Sequence, residues 1–305
     1  MIRPANSIWN KGYNDGMPAA LDCYLCLLRQ SLEAARYATT DESVQRAVLC
    51  NATQLVLNCG YDAPPPQIGR AIHRLIKEVT GNPDPYRAEK DRFNRAMLEQ
   101  LPRMRRFVDE TEDALLMAVK LAIAGNSIDA ALGKLKEEDV DAAFRRAVGQ
   151  SLTGDYNAFA LAVEKAESIF LLTDNAGEIV CDRVLVEYLT GRLQKQVSAA
   201  VRGVPILNDA TLDDARICGL TGIIPVISNG NDGLGTFLDE CTDDFLERFC
   251  SADLVIAKGL ANYETLIDNK TEWQPRRIAF LFKSKCPFIS NYAGTKLGDL
   301  VVRLK

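Results

Sequence analysis

Apolar residues recur at three- and four-residue steps from residue 19 to about residue 106, the spacing of amphipathic helices. Leu21, Leu25, Leu28, Leu32 and Ala35 form one predicted stripe, and Val44, Val48, Ala52, Leu55 and Val56 a second. Beyond Pro64-Pro65-Pro66 a third stripe runs through Ile68, Ile72, Leu75, Ile76 and Val79. Gly81-Asn82-Pro83-Asp84-Pro85 breaks the pattern before a charged helix from Tyr86 onward. Another helix is expected over 109–124, ended by Gly125-Asn126 and restarted with Asn126 or Ser127 as its cap. Residues 130–166 continue in helical register with a break at Gly154-Asp155, whereas residues 1–15 read as a polar, irregular arm.

After Ala166 the period changes. Five short apolar runs, 169–173, 197–201, 223–227, 254–257 and 278–282, alternate with helical or loop segments. Such alternation predicts an α/β fold, with a mainly parallel sheet covered on both faces. Ligands of open α/β sheets lie beyond the carboxyl ends of the strands, so the residue after each run matters. Asp174-Asn175 follows the first run, Arg202 the second and Ser228-Asn229-Gly230 the third, while Lys258-Gly259 and Lys283 follow the fourth and fifth. These ends share one edge of a parallel sheet, where acidic and amide groups meet three cations. Asn208-Asp209, after a Val204-Pro205 turn, brings a second acid to that edge. A carboxylate beside an amide offers hard oxygen donors to a divalent cation. Asp174 and Asp209 are equally placed to cap the helices that follow them.

Composition narrows the chemistry. The chain of 305 residues has a formal net charge of −5 and 25% charged residues, which leaves no electrostatic footprint for nucleic acid. Arg103, Arg105 and Arg106 form only a short charge run. No apolar segment is long enough to span a bilayer, and the N-terminus lacks the apolar core of a secretory signal. Nine scattered cysteines suggest reduced thiols and a cytoplasmic protein. With a single histidine, His73, imidazole catalysis and histidine-rich metal sites are nearly excluded. Cys23 and Cys26 form a C-x-x-C on the first helix and read as packing residues; Cys50 and Cys59 would be needed for a four-thiolate zinc site. The segment from Gly230 to Thr236 is rich in glycine but lacks the lysine of a phosphate-binding P-loop, and it reads better as a connection than as a phosphate cradle.

Several blocks together resemble one family. D-N-A-G-E-I-V-x-D at 174–182, V-R-G-x-P-I-x-N-D ending at Asp209, A-K-G-x-A-N-Y-E-T at 257–265 and F-x-K-S-K-C-P at 282–287 are similar to the metal-dependent damage-control phosphatases, long catalogued as a domain of unknown function. The likeness is to their compact prokaryotic and archaeal branch. It extends to the helical half through the C-x-x-C, Asp84-Pro85-Tyr86 with Lys90 and Asn94, and Gly125-Asn126-x-Ile128-Asp129. The resemblance implies a Rossmann-like αβα domain at 151–305, preceded by an all-helical domain at 1–150. It implies hydrolysis of small phosphorylated metabolites such as sugar phosphates or nucleotides, with Mn²⁺, Mg²⁺, Co²⁺ or Ni²⁺ as cofactor. Asp174, Asn175 and Asp209 match the family's metal-binding set. Asn126, Asp129, Glu178, Arg202, Asn208, Lys258, Gly259, Asn262 and Lys283 match its substrate or phosphate contacts. Cys181 stands where many relatives carry Phe. Two other readings remain open, a methyltransferase with a Rossmann-like pocket and a metabolite sensor without turnover. The first lacks a glycine-rich cofactor turn after the first strand.

Overall fold

The computed structural model describes residues 17–60, 63–132 and 144–305, without the side chains of 126–132. The chain opens with α1 (Leu21–Ala38), α2 (Glu42–Asn58) and α3 (Pro65–Thr80). Asp41 caps α2, its Oδ1 accepting from the Ser43 amide at 2.8 Å. Two prolines open α3 where a missing N–H costs nothing, and Gly81 ends it at φ 67°. The three helices share a core of Leu27, Ala34, Ala35, Val48, Ala52, Ile68, Ile72 and Ile76.

The stripe predicted for α1 is rotated. Leu21 and Leu25 are 83% and 71% exposed, and the buried face runs through Cys23, Leu27, Ser31, Ala34 and Ala35. Leucines occupy both faces of this helix, so periodicity alone did not choose between them.

Next come α4 (Arg87–Glu99), α5 (Leu101–Asp109) and α6 (Ala114–Leu132). The expected stop at Gly125-Asn126 does not occur, because α6 runs through it. Gly125 is a packing glycine: a Cβ there would stand 3.0 Å from Glu178 Cγ and 3.1 Å from Cys181 Sγ.

The sheet consists of β1 (Leu152–Gly154), β2 (Ser168–Leu172), β3 (Gln196–Val201), β4 (Val226–Ser228), β5 (Leu254–Lys258), β6 (Ile278–Lys283) and β7 (Leu300–Leu304). Its order is β1-β7-β6-β5-β2-β3-β4, and every pairing is parallel except β6 with β7. Between the strands lie α7 (Tyr156–Lys165), α8 (Glu178–Gly191), α9 (Leu212–Ile217), α10 (Asp243–Ser251), α11 (Gly259–Leu266) and α12 (Pro287–Ala293). One face of the sheet packs on helices of both halves of the chain, with Met97, Met104, Val119, Ile179 and Leu185 in its core. The other carries an aromatic core of Phe170, Phe245, Phe249, Phe280 and Phe282. The result is a three-layer αβα sandwich with a helical N-terminal region.

Three strand expectations need correction. The third strand begins at Val226 rather than Ile223, because Leu220–Gly222 forms a 3₁₀ turn and Pro225 follows. The stretch read as helix around residue 153 contains β1, an edge strand of three residues. The closing run Leu300–Leu304 is a strand the pattern did not claim.

Succession along the sheet runs outward from β2 through β3 to β4, then returns to the far side of β2 with β5. The boundary between β2 and β5 is the topological switch point, where an open parallel sheet leaves a crevice at its carboxyl edge.

Candidate active site

The chain leaves β2 at Thr173, whose amide and hydroxyl both donate to the Ala200 carbonyl, at 3.0 and 2.9 Å. Just beyond, Asp174 to Ala176 pairs with Asn208 to Ala210. The Ala210 amide donates to the Asp174 carbonyl and the Ala176 amide to the Asn208 carbonyl, both at 2.8 Å. Asn175 and Asp209 are thereby held opposite each other in an isolated antiparallel bridge. Leu207, at φ 47°, sits in the left-handed region at the turn that presents Asp209, a strained conformation for a branched residue.

Neither acid is a helix cap. Gly177 precedes α8, and α9 is closed by a capping box in which Thr211 and Asp214 bond reciprocally. Burial raises the Asp174 carboxyl well above the usual range, with Asp209 and Glu178 adding to the effect. Burial also raises Asp209, against the pull of Arg202. Asn175 donates its amide to Asp174 Oδ2 at 3.0 Å. Two neighbouring carboxylates, of which Asp209 raises Asp174, with a side-chain amide beside them, suit a hard divalent cation. Among the described residues no group of three or more His, Cys, Asp or Glu is arranged to hold a metal. Asp174, Asn175 and Asp209 would therefore leave coordination positions to water or substrate oxygen.

Arg202, at the end of β3, is nearly inaccessible. Its Nε donates to Asp209 Oδ2 at 2.6 Å and its Nη1 to Asn262 Oδ1 at 3.2 Å. Nη2 lies 3.8 Å from Asp174 Oδ1 without a hydrogen-bond partner. Asn262 is itself fully buried, donating to the Thr173 and Lys258 carbonyls at 3.1 and 2.7 Å while accepting from Thr236. It orders Arg202 rather than lining the crevice.

Lys258 lies behind the site. Its ammonium is fully buried and donates to Glu178 Oε1 at 2.6 Å, Asp182 Oδ1 at 2.5 Å and the Ala122 carbonyl at 2.7 Å. Burial alone would lower its pKa, but Asp182 and Glu178 outweigh that and raise it. Asp182 is pushed by burial to about 7, against the attraction of Lys258. Next to Lys258, Gly259 has φ 80°, and a Cβ on it would fall 2.0 Å from Asp174 Oδ2. Only glycine leaves that carboxylate its place.

These residues open into a cavity of about 490 Å³ between α1, α3 and the sheet edge. Asp174, Asn175, Glu178, Asp209, Gly259 and Lys283 line it. Burial and the neighbouring Lys285 both depress the Lys283 pKa. Asn208 contributes its carbonyl to the bridge, and its side chain is not part of the wall. Asn126 and Asp129 belong to α6, with side chains outside the described residues, although Ile123 of the same helix reaches the wall.

The sequence reading did not single out Lys285, Glu264, or Asp22, Arg29 and Gln30 of α1, all of which line the cavity. The K-S-K and N-Y-E blocks contained a signal for the first two; the α1 residues had none, since nothing local shows which helix will roof a sheet edge. Cys23 and Cys26 also line the cavity, with Cys286. Cys23 is buried, whereas Cys50 is exposed and not part of the helical core.

Two braces hold the crevice. Asn94 of α4 accepts from the Gly177 amide at 2.7 Å and donates to Asp214 Oδ1 at 2.8 Å. Lys90 lies 2.7 Å from Asp84 and 3.6 Å from Asp214. The glycine-rich segment is tied down by α3: Arg70 pairs with Asp232 at 2.7 Å and also with Glu240, and Arg74 pairs with Asp232 at 2.6 Å. It is a fastened connection that projects Leu234 into the cavity.

Carboxylates, an amide and an arginine thus meet at the switch point of an αβα sheet, the position where open α/β sheets take their ligands. The profile of the damage-control phosphatase ARMT1-like domain matches residues 19–301, and the chain belongs to that family. It is 33% identical over 302 residues to an uncharacterised protein of Methanocaldococcus jannaschii, covering 96% of this chain and 97% of the relative. A damage-control phosphatase of Archaeoglobus fulgidus is 31% identical over 287 residues, covering 92% of this chain and 97% of its own. The crystal structure of a DUF89 family protein from Pyrococcus horikoshii superposes with a TM-score of 0.84 at 30% identity, covering 93% of this chain and 98% of that one.

Proposed function

We propose that this protein is a divalent-metal-dependent phosphatase acting on small phosphorylated metabolites. The observation that carries this reading is the meeting, at the wall of one cavity, of hard donors from Asp174, Asn175 and Asp209, with the Arg202 guanidinium buried behind them. Relatives named damage-control phosphatases in two archaea support it.

Asp174, Asn175 and Asp209 would hold Mn²⁺, Mg²⁺, Co²⁺ or Ni²⁺. Such an ion supplies positive charge that polarises a phosphoryl oxygen and makes water more acidic. Arg202 is preorganised, since two of its nitrogens are fixed by Asp209 and Asn262, and it places a fixed positive charge behind the carboxylates where phosphate charge would gather. Lys283 and Lys285 add positive charge at the same wall. Glu178 is oriented by the Lys258 ammonium through Oε1, so that its second oxygen can accept a hydrogen bond from the attacking water. Lys258 is therefore a positioning residue in this proposal.

The overall reaction consumes one phosphomonoester and one water and releases an alcohol and inorganic phosphate. A metal-by-ester matrix on purified protein tests the reading: phosphate release from at least one ester must depend on one of these cations. Release from none of them across the matrix would refute it.

A further inference from the structure

Leu207 is the second residue of a four-residue turn closed by the Asp209 amide, which donates to the Ile206 carbonyl at 3.1 Å. Its φ of 47° lies in the left-handed region, where such a turn position ordinarily takes Gly, Asn or Asp. A branched side chain persists there only when its surroundings hold it. Two residues further on, Asp209 faces Asn175 across the isolated bridge.

What holds Leu207 is the helical region. Its side chain packs against the core that α1, α2 and α3 share, a cluster whose other members all lie between residues 19 and 86. The same side chain lines the cavity, so it meets the helical core and the space in front of the carboxylates at once. A second grip comes from α3, where the Lys77 ammonium donates to the Pro205 carbonyl.

Asp209 needs holding from two sides. Its charge bears on the neighbouring Asp174, and like carboxylates repel until a cation joins them. From the sheet side it is fixed by Arg202 Nε at 2.6 Å and by the Ala210 amide bonded to the Asp174 carbonyl at 2.8 Å. From the helical side the turn that carries it is gripped by Leu207 and Lys77.

We propose that Leu207 is a positioning residue of the metal site: seated against the α1–α3 core, its side chain keeps the 206–209 turn in its left-handed form and Asp209 in register with Asp174 and Asn175, a role that rests on the metal reading above for the ligand that Asp209 takes. The helical region thereby completes the site as well as roofing it. Loosening its hold on Leu207 releases one of the three metal donors.

Four variants test this. Leu207→Ala keeps the left-handed strain and removes the anchor, Leu207→Gly removes both, and Leu207→Met keeps an apolar side chain of similar reach. Leu55→Ala truncates a leucine of α2 packed on the same core, away from the cavity wall. Calorimetric Mn²⁺ titration should show affinity weakened by about ten- to a hundredfold in Leu207→Ala, the scale on which support of a metal ligand acts. Leu207→Gly should bind at least as weakly, and Leu207→Met within about threefold of the unmutated protein. Leu55→Ala should be less stable yet bind the metal normally. Full affinity in Leu207→Gly would mean that the backbone form of the turn suffices without the anchor. An equal loss in Leu55→Ala would mean general loosening of the helical core. Either result overturns the proposal, as does unchanged affinity in Leu207→Ala. Hydrogen exchange of the metal-free proteins reads the positioning apart from the metal: residues 206–210 should exchange at least about tenfold faster in Leu207→Ala than in the unmutated protein or Leu55→Ala. If the unmutated protein binds no cation, the metal reading fails and exchange alone decides, an unchanged rate overturning the positioning role.

Discussion

Arg202 holds Asp209 through a 2.6 Å bond from Nε and leaves Nη2 3.8 Å from Asp174, without a partner. One guanidinium thus steadies one proposed metal ligand and keeps a donor in reserve beside the other. The two functions separate under substitution. Arg202→Lys keeps a cation but loses the planar fork that reaches three groups. Its kcat/KM for a phosphate ester should fall by about a hundred- to a thousandfold, the worth of a preorganised donor. Calorimetric metal titration should show affinity maintained or raised, because a fixed cation next to Asp174 and Asp209 has been loosened. Loss of metal binding together with unchanged KM would mean that Arg202 serves only to build the metal site.

Gly259→Ala tests how closely the backbone approaches Asp174. The new methyl would fall 2.0 Å from Asp174 Oδ2, at a φ of 80° that alanine resists. Strain of this kind costs about 1–3 kcal/mol. Displacing the carboxylate by about an ångström should lower kcat/KM by on the order of a hundredfold. Urea denaturation beside steady-state kinetics measures both, and a fully active variant of ordinary stability would contradict the contact.

Lys258 separates a buried brace from a phosphate contact. Removing its ammonium by Lys258→Met would leave Glu178 and Asp182 buried without their cation. Breaking a buried pair in this way destabilises by about 3–5 kcal/mol. The expected result is a large fall in the urea midpoint. Unchanged stability with a raised KM would instead put the ammonium on the substrate.

His73 is fully enclosed on α3, and burial, with Lys77 nearby, pushes its imidazole down to about 3. Its unfolded value is near 6.5. The folded protein therefore stays unprotonated while the unfolded chain binds a proton. The contribution of this residue to stability is full above about pH 6.5 and is lost as pH falls toward 3. The slope approaches about 1.4 kcal/mol per pH unit. Comparing unmutated protein with His73→Gln by urea denaturation at pH 7, 6 and 5 isolates it. Being the only histidine, it also gives an unambiguous NMR titration; a midpoint near 6.5 in the folded state would contradict its burial.

The parallel core of the fold was legible because β2, β5 and β6 are continuous apolar runs and β3 is interrupted only by Ser198, all with polar residues at their ends. β1 was not, since three edge residues paired only to β7 need no apolar alternation. Gly125 was misread as a stop for a related reason: the local sequence cannot show that Glu178 and Cys181 will press on its Cα. The proposed metal set was visible because Asp174 and Asp209 each sit in a polar break after an apolar run. Lys258 stands at a strand end as well, but the direction of its side chain depended on Asp182 and Glu178, one turn apart on a helix packed behind it. The α1 residues entered the wall only through tertiary packing.

The central claim, that Asp174, Asn175 and Asp209 hold a divalent cation required for phosphoester hydrolysis, is tested most directly by phosphate release from p-nitrophenyl phosphate after verified metal removal and after stepwise return of Mn²⁺ or Mg²⁺. The unmutated protein should be inactive when stripped and recover saturably with metal. Asp174→Asn, folded by circular dichroism, should need far more metal and retain less than about a hundredth of the rate, the scale of losing electrostatic stabilisation at the reacting group. Full turnover by the metal-free protein, or an Asp174→Asn variant with unchanged metal response, would contradict the account.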